Sequence, residues 1–334
     1  MQNSQNQLHN YAGLFTLSLR IVIGWTYFSA FWRRLILENK LIPNEAGYIG
    51  EKFNHFLPNA LGIKPLIEYL VLNPDKLYYS MVTFTIIEAI VGLFIILGLF
   101  TRLMSVGVFG LAMGILLGSG WIGTTCLDEW QIGVLGIASG FTLFLTGSGY
   151  YSLDKLLINK KLKWTQTSWF SWLGSGNLPV VISKKFILMV SLLILGLTLF
   201  TNQYFHGGVF GKLHNKSVKP KIEISQITKM DNQIQFQIYR TEGADVYGSF
   251  LIGIQFLNEK KQIVHEYKMA DLSQLNSNEI NNIYVAKVKP GKHSLIIPLG
   301  AKADLKLKVN DINQITSIKL LDISGIEWEE SLIK

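Results

Sequence analysis

The sequence predicts a membrane all-α four-helix bundle with one further transmembrane helix, followed by an all-β immunoglobulin-like sandwich. Three observations carry this. Apolar runs of about 20 residues, the length that spans a ~30 Å hydrocarbon layer as helix, recur through the first 200 residues. Charged residues make up 16% of the 334-residue chain and hydrophobic ones 49%, against the roughly 25% charged that soluble domains carry. After Asn202 the pattern switches to short alternating segments separated by turn residues, the mark of half-buried strands.

The helices are expected at Ala12–Trp32, Ser80–Phe100, Leu103–Trp121, Gln131–Gly147 and Phe186–Thr201. Aromatic residues cluster at many of their ends, as they do where a span meets the interface. The apolar run beginning near Ala12 is too long for a signal h-region, and Met1–Asn10 carry no Lys or Arg, so it reads as a retained helix. Between Ser148 and Lys185, Lys155, Lys160, Lys161, Lys163, Lys184 and Lys185 face one acid, Asp154. The positive-inside rule puts that segment in the cytoplasm and everything after the fifth helix outside it. Arg33, Arg34 and Lys40 then fall on the outer side, in a stretch to Tyr79 where six basic residues face five acids. Within it Ala46–Leu57 and Pro65–Leu72 are amphipathic and punctuated by prolines, as short interfacial helices capping the bundle would be.

In the C-terminal part, Gln233–Arg240 alternates strictly, and Ser249–Leu257, Ile283–Val288, His293–Pro298, Ala303–Val309 and Thr316–Asp322 are further strand candidates. Pro290-Gly291 and Asn310-Asp311 supply turns. The resulting division is residues 1–160 as the four-helix membrane domain with an extracytoplasmic loop at 33–79, 161–185 as a basic cytoplasmic linker, 186–202 as the fifth transmembrane helix, and 203–334 as an extracytoplasmic β-sandwich in an inner-membrane, multi-pass protein.

The net charge of +8 sits in short clusters beside apolar runs, with no basic patch interleaved with aromatics, so no nucleic-acid partner is expected. A single cysteine, Cys126, precludes an intrachain disulfide, and the six histidines show no metal-ligand spacing.

Two stretches carry a family resemblance. Phe84-Thr-Ile-Ile-Glu-Ala-Ile-Val-Gly-Leu-Phe-Ile-Ile-Leu-Gly-Leu-Phe-Thr-Arg102, with its intramembrane Glu, the Gly four residues on, and Thr-Arg at the helix exit, resembles the DoxX/DoxD group of four-helix membrane proteins. Gly208-Val-Phe-Gly-Lys-Leu-His-Asn215 and Ile297-Pro-Leu-Gly-Ala-Lys-Ala303 resemble DoxA, the other subunit of thiosulfate:quinone oxidoreductase. The order matches a natural fusion of the two. The resemblance implies oxidation of thiosulfate to tetrathionate, or of a related sulfur compound, with electrons passing to membrane quinone. No haem, flavin or iron–sulfur motif accompanies it. The alternative is a non-catalytic membrane subunit that anchors a respiratory partner. Lipid, quinone and a small sulfur anion are the implied partners, with a homo-oligomer or respiratory-chain partner left open.

Glu88 is the sharpest candidate, because a carboxyl within a span costs a few kcal/mol on insertion scales and calls for a partner or a task. Arg20 is the partner expected from helix depth, differing from it by roughly 6 Å. Two roles are open: an ion pair locking helices, or a proton relay for the quinone. Arg102 is either a helix-end anchor or a quinone ligand. Cys126 is either inert or a thiolate that engages sulfur, with Asp128 tuning it. Trp121 is either an interface anchor or a surface on which a quinone ring stacks. Arg33 and Arg34 are suited to attracting a dianion. His206 and His214 flank a glycine-rich segment that is either a tether or folds back toward the substrate site. Gly110, Gly114 and Gly118, with Gly136 and Gly140, mark a close packing of the third and fourth helices.

Overall fold

The computed structural model describes residues 11–123, 128–176, 178, 180–245 and 248–332. The chain forms two compact units. One comprises Met1–Glu45, Tyr79–Gly120 and Asp128–His214; the other comprises Ala46–Tyr78, Trp121–Leu127 and Asn215–Lys334.

The first unit is helical. Leu17–Phe31 runs into a π-helical turn at Trp32–Leu37; the long helices Pro74–Leu97, Thr101–Ser119, Asp128–Thr146 and Lys184–His206 follow. Pro74–Leu97, Thr101–Ser119 and Lys184–His206 are each long and apolar enough to cross a membrane, and the protein is a membrane protein on that count. The last is buried over only 6% of its apolar window, and its Leu188, Leu192, Leu193 and Phe200 point outward, as on a helix at the bundle edge. Trp130 Nε1 bonds Thr201 Oγ1 at 3.0 Å and holds it there.

Glycines set how the helices meet, with one difference from the sequence reading. A Cβ on Gly110 or Gly114 would meet nothing within 4 Å, whereas one on Gly133, Gly136 or Gly140 would strike Leu116, Ala112 or the Ser105–Phe109 stretch. Gly110 and Gly114 of the first helix thus lie off the interface, while the glycine stripe of the second faces it. Gly24 and Gly92 let Leu17–Phe31 and Pro74–Leu97 approach closely: a Cβ on Gly92 would lie 2.4 Å from Phe28 N.

The basic segment after the fourth helix is folded onto this unit. Trp164, Trp169 and Phe170 pack around Phe100. Asp154 accepts hydrogen bonds from Phe100 N (2.8 Å), Thr101 N (3.1 Å), Thr101 Oγ1 (2.9 Å) and Ser175 Oγ (2.8 Å). It thereby caps the N-terminus of Thr101–Ser119 from a distant part of the chain, where the helix dipole favours an anion. Burial holds the Asp154 carboxyl above its ordinary range, offset only in part by the hydrogen bonds from Thr101, Ser175 and Phe100.

The second unit is an antiparallel two-sheet sandwich joined by the short helices Ile49–Phe56 and Lys64–Val71. One sheet runs β1 (Lys221–Met230), β2 (Gln233–Glu242), β8 (Lys302–Lys308), β5 (Ile280–Asn282). The other runs β10 (Glu327–Ser331), β9 (Ser317–Asp322), β3 (Ser249–Leu257), β7 (Leu295–Ile297), β6 (Lys289–Pro290), with β4 (Ile263–Lys268) also on β3. Ile234, Phe236 and Ile238 of β2 face Leu251, Ile254 and Phe256 of the other sheet in one core. The Phe236 and Phe256 rings meet edge to face at 6.4 Å, a favoured aromatic geometry.

Ile283–Val288, expected as a strand, is not one. Asn282 takes both backbone groups of Val288 (Oδ1 from Val288 N, 2.7 Å; Nδ2 to Val288 O, 3.0 Å), and Asn54 Oδ1 accepts from Ala286 N at 3.1 Å. Side-chain amides thus replace a sheet partner. Asn54 also donates to Gly300 O at 2.9 Å, and Glu68 accepts from the Tyr284 hydroxyl at 2.7 Å. These bonds build the two short helices, expected at the bundle, into the β unit.

Candidate functional site

Helix geometry brings together a different pair from the one expected. Arg34 Nη1 lies 2.5 Å from Glu88 Oε2 and 3.1 Å from Thr85 Oγ1, with its guanidinium 5.8 Å from the Phe84 ring centre. Glu88 is 4% exposed, and Tyr27 and Thr85 are buried in the same unit. Arg20 is not the partner. With Gly24 set against Gly92 in antiparallel helices, Glu88 is level with residue 28 and Arg20 lies about eight residues, ~12 Å, along the axis from it. Arg20 instead donates to Ser148 O (2.6 Å) and Tyr151 O (2.5 Å). Arg34 reaches Glu88 because long side chains on helices lean toward the N-terminus, and the π turn sets its register.

This corrected partner was legible only in part. Arg34 stood out as a cation on the wrong side for the charge rule, but nothing in the spacing tied it to a carboxyl 54 residues away. Arg33, its neighbour, is exposed and bonds only Ser29 O, at 3.3 Å, among the described contacts.

Among the described hydrogen bonds, none joins another expected site residue to this pair. Arg102 is fully buried and donates to Phe144 O (3.0 Å), Ser171 O (2.7 Å), Gly174 O (3.3 Å) and Gly176 O (2.7 Å). That is the geometry of an anchor for the segment Lys163–Gly176. Trp121 belongs to the second unit, where it is 1% exposed and its indole N–H donates to Phe56 O at 3.1 Å. Asp128 opens a helix and is exposed; Cys126 lies outside the described residues. His206 is buried with Nε2 2.9 Å from Gly120 O, and His214 is exposed with its N–H on His206 O at 3.0 Å. Gly207, at φ +64°, turns the chain between them.

Among the described residues no three His, Cys, Asp or Glu side chains gather as a metal site requires. What the first unit offers is a buried carboxylate held by one guanidinium beside a hydroxyl and an aromatic face. Such a group can hold or release a proton inside an apolar wall.

No solved structure matches this chain. Residues 15–182 match the model of the TQO small subunit DoxD, and residues 205–331 match that of the TQO small subunit DoxA. The chain belongs to the DoxD family of TQO small subunits and carries a DoxA region after it, a fusion of the two.

Proposed function

We propose that this protein oxidises thiosulfate, or a closely related sulfur anion, to the disulfane-linked dimer and delivers the electrons to membrane quinone. The observation that carries the proposal is the buried Arg34–Glu88 pair within the membrane unit of a chain matching both TQO small subunits. Two thiosulfates each give one electron as their terminal sulfurs join, and the quinone takes two electrons and two protons. Glu88 is suited to supply or relay one of those protons, and Arg34 to hold the carboxylate in place and its charge in check. The positive charge of Ser148–Lys185 favours a cytoplasmic position for that segment and the opposite side for the β unit.

The family descriptions call both parts small subunits, and that wording favours a second reading, a membrane subunit that works only with a redox partner. Purified protein given a soluble quinone analogue, with thiosulfate as sole donor, separates the two. Reduction that disappears in Glu88→Gln supports the oxidoreductase; well-folded, quinone-supplied protein without activity rejects a self-sufficient enzyme.

A further inference from the structure

Among the described residues, the buried side-chain nitrogens and oxygens without a hydrogen-bond partner are Arg20 Nε, Asn202 Oδ1, His206 Nδ1, Thr241 Oγ1 and both ring nitrogens of His55. His55 is the extreme case. It is 9% exposed, and neither nitrogen is engaged, although a buried polar atom left unpaired carries its full desolvation penalty. Native structures rarely leave such a group without a reason.

The surroundings of His55 are those of a site. His55 and Lys52 stand three residues apart on the helix Ile49–Phe56 and so share a face. Lys52 forms an ion pair with Asp245, which follows the end of β2. Just past the helix, Asn59 Nδ2 donates to Thr241 O at 2.9 Å, so the C-terminal end of β2, with its unpaired Thr241 hydroxyl, is tied to the same segment. Arg240, 1% exposed, spreads its guanidinium over Ile297 O (3.0 Å), Ala244 O (2.7 Å) and Glu242 O (3.3 Å). His55 feels the charges of Lys52, Asp245 and Arg240 together. Of the charges that act on the ring, two are cations and one is a carboxylate, so the balance at His55 is positive. That disfavours a metal ion, for which one imidazole and one carboxylate would be a poor donor set. It favours an anion that accepts hydrogen bonds.

We propose that His55, Thr241 and Lys52 form a binding site in the second unit for a small sulfur oxyanion of the thiosulfate class. The imidazole N–H, the hydroxyl and the ammonium supply the donors, and the buried Arg240 guanidinium adds long-range attraction. The choice of thiosulfate among oxyanions rests on the function proposed above; the preference for an oxyanion rests on these residues alone.

The test uses full-length protein in nanodiscs, with histidine labelled at its ring nitrogens. Thiosulfate is titrated in, with chloride at equal ionic strength as control. Saturable binding that shifts the His55 ring resonances, and that weakens about 10-fold or more in His55→Gln and in Thr241→Val, is the expected result; that is the loss of one hydrogen bond to a charged ligand. Glu88→Gln should bind as the parent does while losing turnover. Absence of saturable binding, or binding that leaves the His55 resonances and both variants unchanged, overturns the site. If His55→Gln does not fold, Thr241→Val and the parent titration decide. Quinone reduction with an unaltered thiosulfate KM in the variants sinks this site and leaves the oxidoreductase standing. His55-dependent binding without any quinone reduction does the reverse.

Discussion

Arg34 and Glu88 meet at 2.5 Å across 54 residues of sequence, with Glu88 one turn from Gly92, which packs on Gly24. The ion pair is nearly enclosed, with side-chain exposures of 14% and 5%, so each partner neutralises a charge that would otherwise sit unpaired among apolar helices.

Glu88→Gln is expected to lower quinone-linked turnover by about 100-fold, the lower range for loss of a positioned proton donor or acceptor. Arg34→Ala should cost about 3–5 kcal/mol of stability by stranding the carboxylate, and the double variant Arg34→Ala with Glu88→Gln should recover most of that stability without activity. Steady-state assay together with detergent-phase thermal melting reads both quantities. Full turnover in Glu88→Gln would remove the pair from the mechanism.

Gly92→Ala should destabilise the first unit and depress turnover together. The added Cβ meets Phe28 N at 2.4 Å and Gly24 O at 2.7 Å, backbone atoms that cannot turn aside, and overpacking of this kind costs about 1–3 kcal/mol or more. Gly110→Ala, whose Cβ meets nothing within 4 Å, is the matched control and should melt with the parent. Equal melting of the two variants would contradict the packing described.

Arg102→Ala should free the segment Lys163–Gly176 from the helix end. Three carbonyls of that segment, Ser171, Gly174 and Gly176, lose their donor, a loss of about 3 kcal/mol or more for a buried charged group. Limited proteolysis is the readout. Faster cleavage between Lys160 and Lys184 is expected, while an unchanged pattern would mean that the tryptophan cluster alone holds the segment.

Stability of the β unit should fall with acid in a window set by His55. Burial pulls its imidazole down to about 4, reinforced by Lys52 and Arg240 and opposed by Asp245, while an unfolded histidine titrates near 6.5. Between those values the unfolded chain binds more protons than the folded one, so the contribution is complete above about pH 6.5 and lost as pH falls toward 4. Its size is on the order of 3 kcal/mol. Thermal melts in chloride buffer from pH 7.5 to 4.5 should show a slope that His55→Leu flattens. An unchanged slope in that variant assigns the acid sensitivity to other groups.

The arrangement of the chain was largely legible in its residues. Long apolar runs mark helices because a membrane span has a fixed length, and the strict alternation of Gln233–Arg240 marks β2 because side chains alternate across a sheet. Ser249–Leu257 was read as a strand and is β3 without a shift at either end. The strand expected at Ile283–Val288 failed for a local reason invisible in hydrophobicity: Asn54 and Asn282, distant from it or just before it, satisfy its backbone. The glycine spacing correctly marked the packing of Thr101–Ser119 with Asp128–Thr146, but it does not say which stripe faces inward.

The sequence by itself determined a membrane bundle, an antiparallel β unit, their order, and an intramembrane carboxylate that needs a partner. Those follow from short-range periodicity and from the cost of moving a charge into an apolar medium, both properties of local composition. Only the tertiary structure decided that the partner is Arg34, that Arg20 and Arg102 are absorbed by backbone carbonyls, and that His55 is buried with both ring nitrogens unengaged. Each of these depends on the register at which separated segments meet. That register is set by the contact of Gly24 with Gly92 and by the amide of Asn54, and it leaves Arg20 about 12 Å along the axis from Glu88.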